Sequence, residues 1–283
     1  MRTILLTGVA LMLLAVAATA EDKPPTELGL SVYKLGEKYA TDEQAKQPID
    51  DLCAFLNGKV EGAKFVRRGI RNKPEDALKL LKDDKDKTAV AIMSPGLYFA
   101  NKEALKLTAI AEARRGGNDG EQYVLYGKTK ADGYPAGKRI ATNMTADKKW
   151  LDNVVLPITK GLKAKPVEWV QYDNLMDAGY AIADDEKDAP DYVLLDRVTA
   201  AAFTKDADLK ESTLSYESAV LPQELVVEID GRLGDKRDTL KAVLAKLDES
   251  EAGKKLGVTL QTATFVAPDE KRLTAAEKAF KGE

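Results

Sequence analysis

The run Thr88 to Tyr98 reads Thr-Ala-Val-Ala-Ile-Met-Ser-Pro-Gly-Leu-Tyr, an apolar strand that stops abruptly in a polar Pro/Gly turn and an aromatic. Such a turn presents hydroxyls and backbone N–H groups at the carboxyl end of a strand, where open α/β sheets bind ligands. It suits holding a molecule more than breaking a bond. Histidine is absent from the whole chain, which removes His-dependent triads, a histidine general base and nearly all catalytic zinc sites. Gly-x-Ser-x-Gly, the phosphate-binding P-loop pattern and the glycine fingerprint of dinucleotide sites are missing too. An exported enzyme would have to use carboxylates, lysine or tyrosine as acid and base.

Other candidate groups read as ordinary surface. The acidic runs Asp83 to Asp86 and Asp184 to Asp188 lack the alternating spacing of a calcium loop and read as solvated turns. Gly231-Arg232-Leu233-Gly234 matches a short RNA-loop pattern but follows an apolar run as a plain turn would. Arg67, Arg68 and Arg71 form a basic cluster that could assist an anion, though solvation is the favoured reading. Cys53 is the only cysteine, so no intramolecular disulfide can form, and it reads as a small buried apolar side chain. No metal or other cofactor is expected.

The elements that must position these groups alternate. Leu28 to Tyr33 reads as a strand. Ile49, Leu52, Cys53 and Leu56 then fall at helical spacing, with Pro48 in the first turn and Gly58 as the stop. Lys64 to Val66 begins a second strand, Ala77, Leu80 and Leu81 mark a second helix, and Thr88 to Met93 is the third strand. Leu107 to Ala111 and Tyr123 to Tyr126 flank a polar, glycine-rich loop, Arg114 to Gly120. The pattern restarts with strand Arg139 to Thr142, helix Asp147 to Val155, strand Val167 to Val170, helix Asn174 to Ala183 and strand Tyr192 to Leu195. Thr213 to Tyr216, Leu225 to Ile229 and a helical C-terminus from Asp238 complete it. Strands separated by helices imply βαβ crossovers and mainly parallel sheets, so the class is α/β with two lobes. The expected division is a first lobe over 21–126, a second over 127–216 and a return to the first over 217–283. Tyr123 to Lys128 is the first of two hinge crossings.

Arg2 followed by an apolar run from Ile4 to Ala18 and the sequence Ala18-Thr19-Ala20 reads as a secretory signal peptide over 1–20. Removing Arg2 leaves 42 basic against 46 acidic residues, well interspersed, which argues against nucleic acid. No further run of spanning length follows, so the mature chain is expected to be free of stable membrane insertion and located in the periplasm.

The order of elements, the turn Ser94-Pro95-Gly96-Leu97-Tyr98, the strand ending Leu194-Leu195-Asp196 and the closing Gly253-Lys254-Lys255-Leu256-Gly257 before Phe265-Val266 resemble the phosphate/phosphonate periplasmic binding protein family. The likeness spans nearly the whole mature chain. It implies the two-lobed type II periplasmic binding fold and delivery of a solute to the membrane permease subunits of an ABC-type importer, by a monomer without enzyme activity. It places Tyr33, Ser94 and Tyr98 on the first-lobe wall of the cleft. On the second lobe it places Thr142, Asn143 and Thr145 in the turn that binds an oxyanion, and Tyr172 where some phosphonate-binding members carry a histidine. Asp196 matches a carboxylate that in some members contacts the ligand's amino group. The second-lobe turn lacks the family's serine-glycine part, so the expected ligand is a small anion or zwitterion, phosphate- or phosphonate-like, with the specific solute left open. The residues also allow Tyr98 as a packing aromatic, Thr142 and Thr145 as caps and Asp196 as the cap of the helix toward Phe203. The other functional reading is a periplasmic sensor or protein-interaction module with a degenerate cleft.

Overall fold

The computed structural model describes residues 24–33, 42–71, 79, 81–82, 87–130, 135–156 and 166–283. The expected signal peptide and most of the expected helix around Ala77 to Leu81 lie outside them. Among the described residues no helix is long and apolar enough to cross a membrane.

Among the described residues, eleven strands form two sheets. The first contains β1 (Thr26–Tyr33), β2 (Ala63–Arg71), β3 (Thr88–Met93), β4 (Leu107–Arg114), β10 (Leu225–Ile229) and β11 (Thr264–Val266), in the spatial order β11-β4-β10-β3-β1-β2. The second contains β5 (Tyr123–Gly127), β6 (Arg139–Thr142), β7 (Glu168–Gln171), β8 (Tyr192–Asp196) and β9 (Thr213–Glu217), in the order β7-β6-β8-β5-β9. β1 pairs parallel with β2 and β3, and β6 parallel with β7 and β8. β10 runs antiparallel to β3 and β4, and β5 antiparallel to β8 and β9. The reversed strands β5 and β10 are those that follow each passage between the sheets. A chain entering a sheet from the other lobe arrives at the opposite end and must run against its neighbours.

The interior strands explain their composition. β3 lies between β1 and β10 and all six of its residues are buried, as a strand covered on both faces requires. Its alternate side chains serve two cores: Ala91 and Met93 face one, Val90 and Ile92 the other. The same alternation in β8 sends Tyr192 and Leu194 to the first of these cores and Val193 and Leu195 to a third. One face of each sheet therefore drains into a single apolar cluster, joined by Leu97, Phe99, Trp150, Val154, Leu273 and Phe280 from the helices between them. Each such fully buried large side chain contributes about 1.5–3 kcal/mol.

Two local expectations need correction. The first helix spans Asp42–Asn57, so Pro48 lies inside it and not in the first turn. Tyr123 to Lys128 is not a crossing, because Tyr123–Gly127 is β5, laddered to β8 and β9 in the second sheet. The first crossing is the segment 115–122 before it, and the second is 218–224. An apolar Val-Leu-Tyr run needs ladder partners, whereas the polar, glycine-rich segment upstream can bridge the sheets without joining either one. Cys53 is buried, and burial pushes its thiol up to about 12.

Candidate functional site

A cavity of about 100 Å³ lies where the two sheets meet the two crossings. Ser94 and Pro95 bound it from the end of β3, and Asn143, Met144, Leu175, Leu194 and Asp196 from the second sheet. Arg115, Glu121 and Tyr123 come from the first crossing and the strand it leads into, and Pro222, Gln223 and Glu224 from the second crossing.

The crossings are zipped together. Glu121 and Leu221 exchange both backbone hydrogen bonds at 2.7 Å, and Ser218 N–H donates to the Tyr123 carbonyl at 2.8 Å. Gln223 Oε1 accepts from Arg115 N–H at 2.8 Å while its Nε2 donates to the Gly120 carbonyl at 2.7 Å. Arg115 also pairs with Glu224 at 3.1 Å, with both side chains largely covered. The cavity floor is thus a braced double strand.

Its electrostatics are acidic. Three carboxylates, Glu121, Asp196 and Glu224, face one guanidinium, Arg115, which Glu224 already engages. Glu121 is 6% exposed, and burial first, then the Asp196 charge, push its carboxyl up to about 7. Burial and the same two carboxylates raise the Tyr123 phenol well above its ordinary value. Ser94 Oγ is buried and has no hydrogen-bond partner among the described residues, a position a ligand atom can fill. Beside this turn, burial pushes the Asp147 carboxyl up to about 6, against the opposing hydrogen bond from Trp150 N–H.

Of the eight residues named from the sequence, Ser94, Asn143 and Asp196 line the cavity. Asp196 also caps the Arg197–Phe203 helix: Oδ1 accepts from Thr199 N–H at 2.8 Å and Oδ2 from Thr199 Oγ1 at 2.7 Å. The other five lie elsewhere. Tyr33 is fully buried, because the alternation of β1 turns it into the shared core. Tyr98 is buried in the same core, 5.1 Å from Phe99 ring to ring, with the Lys102 ammonium 5.9 Å from its ring. Ser94 is the extended residue just before the helix, whereas Tyr98 lies one turn along it, where the side chain packs into the core, making it the packing aromatic. Thr142 is buried and accepts from Met144 N–H at 3.2 Å, a local turn bond. Thr145 Oγ1 donates to Gln171 Oε1. Tyr172 packs against the outer core of the second sheet. Arg67 and Arg68 pair with Asp50 and Glu27 at 2.9 and 2.5 Å, outside the cavity lining.

Sequence reading missed Arg115, Glu121, Gln223 and Glu224. Their signal was faint: charged or amide residues directly flanking apolar strands, in segments that only the topology shows to be crossings.

No protein-family model matches the sequence, and no curated protein matches it. Among solved structures the chain is similar to XAC2383 from Xanthomonas citri bound to ATP, with a TM-score of 0.67 and 10% identity over 90% of this chain and 97% of that one. It is also similar to a binding protein component of an ABC phosphonate transporter from Pseudomonas aeruginosa, with a TM-score of 0.61 and 13% identity over 91% of this chain and 86% of that one. A third is PhnD1 from Prochlorococcus marinus in complex with methylphosphonate, at 0.61 and 11% identity over 90% of this chain and 97% of that one. The chain has the two-sheet α/β fold of the periplasmic binding proteins.

Proposed function

We propose that this is an exported solute-binding protein that holds a small zwitterion between its lobes and presents it to the membrane subunits of an ABC-type importer. The observation that carries the reading is the cavity itself, lined from both sheets and both crossings and holding a buried hydroxyl with no partner among the described residues. Such a site gains contacts to both lobes only when they are closed, so a ligand favours closure. The excess of carboxylates over Arg115 supports a ligand with a cationic group near Glu121 and Asp196 and a polar or anionic group near Ser94. A purely anionic phosphate or phosphonate would meet that negative field unpaired. The volume, about two-thirds of the 150 Å³ cavity that admits the six ring atoms of benzene, limits the buried part to about four non-hydrogen atoms.

Two facing carboxylates could also suggest acid–base chemistry, but Thr199 engages both oxygens of Asp196, which makes it a cap and charge partner in place of a free base. Binding without catalysis is the better reading. A second reading, a sensor or interaction module with a degenerate cleft, draws support from the apolar cluster shared by both sheets, which leaves little open cleft. A thermal-shift panel of phosphate, phosphonates, sulfonates, carboxylates and amino acids tests the first. A rise in Tm with a zwitterion and none with inorganic phosphate supports it, since a ligand that binds only the folded state stabilises it. A flat panel, together with pull-down of a histidine kinase in place of importer subunits, supports the second.

A further inference from the structure

The C-terminal helix Glu270–Lys281 belongs to neither lobe alone. On the first-lobe side, Lys102 Nζ donates to Glu277 Oε2 at 2.6 Å. On the second-lobe side, Asn153 Nδ2 donates to the Phe280 carbonyl at 3.0 Å, and the Lys149 ammonium lies 4.4 Å from the Phe280 ring centre. The Phe99 ring, from the first lobe, stands 6.0 Å from Trp150 of the second and 5.8 Å from Phe280. Three elements therefore meet in one aromatic seam.

Near its other end the helix is keyed into the crossings. Arg272 Nη2 donates to both oxygens of the buried Glu112 at 2.9 and 3.0 Å, and Nη1 donates to the Asp119 carbonyl at 3.1 Å. Glu112 also accepts from Gln223 N–H at 2.9 Å, and Gln223 lines the cavity.

A binding protein whose lobes touch only through ligand relaxes open when empty. Here opening would expose Phe99, Trp150 and Phe280 to water, so the closed form has apolar stabilisation of its own. We infer that the C-terminal helix is a strap that keeps the lobes closed without ligand. Arg272 and Glu112 are positioning residues that transmit its seating to the cavity through Gln223.

The test uses the full mature chain, dialysed free of small molecules, with nitroxide labels on cysteines introduced at the exposed Lys64 and Lys210. Cys53 is buried and stays unlabelled. Pulsed electron resonance should give one narrow distance distribution, and Phe280→Ala should broaden it toward longer distances. If that variant fails to fold, the pair Asn153→Ala and Lys149→Ala, which removes only the second-lobe hooks, should give the same shift. A broad distribution in the otherwise unmutated protein, or an unchanged one in a folded variant, overturns the strap.

Arg272→Lys keeps the charge but loses the two-pronged grip on Glu112. It should move the carbon-13 titration midpoint of Glu121, and an unmoved midpoint assigns Arg272 and Glu112 a structural role only. No ligand enters these measurements, so their failure leaves the solute-binding reading to its own thermal-shift panel.

Discussion

Asp147 of the second lobe and Gly96 of the first lie so close that a β-carbon placed on Gly96 would stand 1.9 Å from Asp147 Oδ2. The nearest atoms that β-carbon would meet all belong to the Asp147 carboxylate, so a larger residue at 96 must push that half-buried side chain aside. Gly96→Ala should therefore lose about 1–3 kcal/mol in urea denaturation, the usual range for overpacking. The double variant Gly96→Ala with Asp147→Gly should recover most of that loss. Equal losses in the single and double variants would show that the strain lies elsewhere.

Glu121 and Asp147 give the stability a specific pH slope. Both are acids whose folded pKa lies above its ordinary value, Glu121 moving from 4.5 to about 7 and Asp147 from 3.8 to about 6. The folded state thus holds more protons than the unfolded one in those windows, and stability falls as pH rises through them. For Glu121 the fall between about pH 4.5 and 7 is roughly 3 kcal/mol at 1.36 kcal/mol per pKa unit. Urea denaturation at pH 5 and pH 8 should show the loss, and Glu121→Gln should remove most of it.

Asp196 joins two roles that one substitution can separate. Asn is as good a helix cap as Asp, so Asp196→Asn should keep the bond to Thr199 N–H with little change in stability, whereas Asp196→Ala should cost about 1 kcal/mol. Either variant removes the charge that helps raise Glu121, so the Glu121 midpoint should fall below about 7 in a carbon-13 titration.

The Arg272–Glu112 pair is covered, with side-chain exposures of 15% and 1%. Arg272→Ala would leave Glu112 charged and buried without its partner, and urea denaturation should show a loss of about 3–5 kcal/mol. Adding Glu112→Gln should recover part of it.

Much of the scaffold was legible because local rules fix it. Thr88–Met93, Arg139–Thr142 and Leu225–Ile229 were readable to the residue, since buried strands write themselves as short apolar runs closed by turn residues. Helix spacing likewise gave the apolar face at Ile49, Leu52, Cys53 and Leu56, though not the helix start seven residues before Ile49. The site was far less legible. Tyr98 and Ser94 are close in sequence, yet Ser94, the extended residue before the helix, lines the cavity while Tyr98, one helical turn on, packs into the core. Glu121 and Gln223 meet only because two distant crossings are zipped side by side, a pairing that no local pattern records.

Native mass spectrometry of the protein, purified under mild conditions, tests the central claim most directly. A bound zwitterion of small mass, retained by the unmutated protein and lost in a folded variant carrying Glu121→Gln and Asp196→Asn, is the result expected of a solute-binding cavity. A bare protein mass, with no mass increment after incubation with the amino acid and aminophosphonate panel, would contradict it.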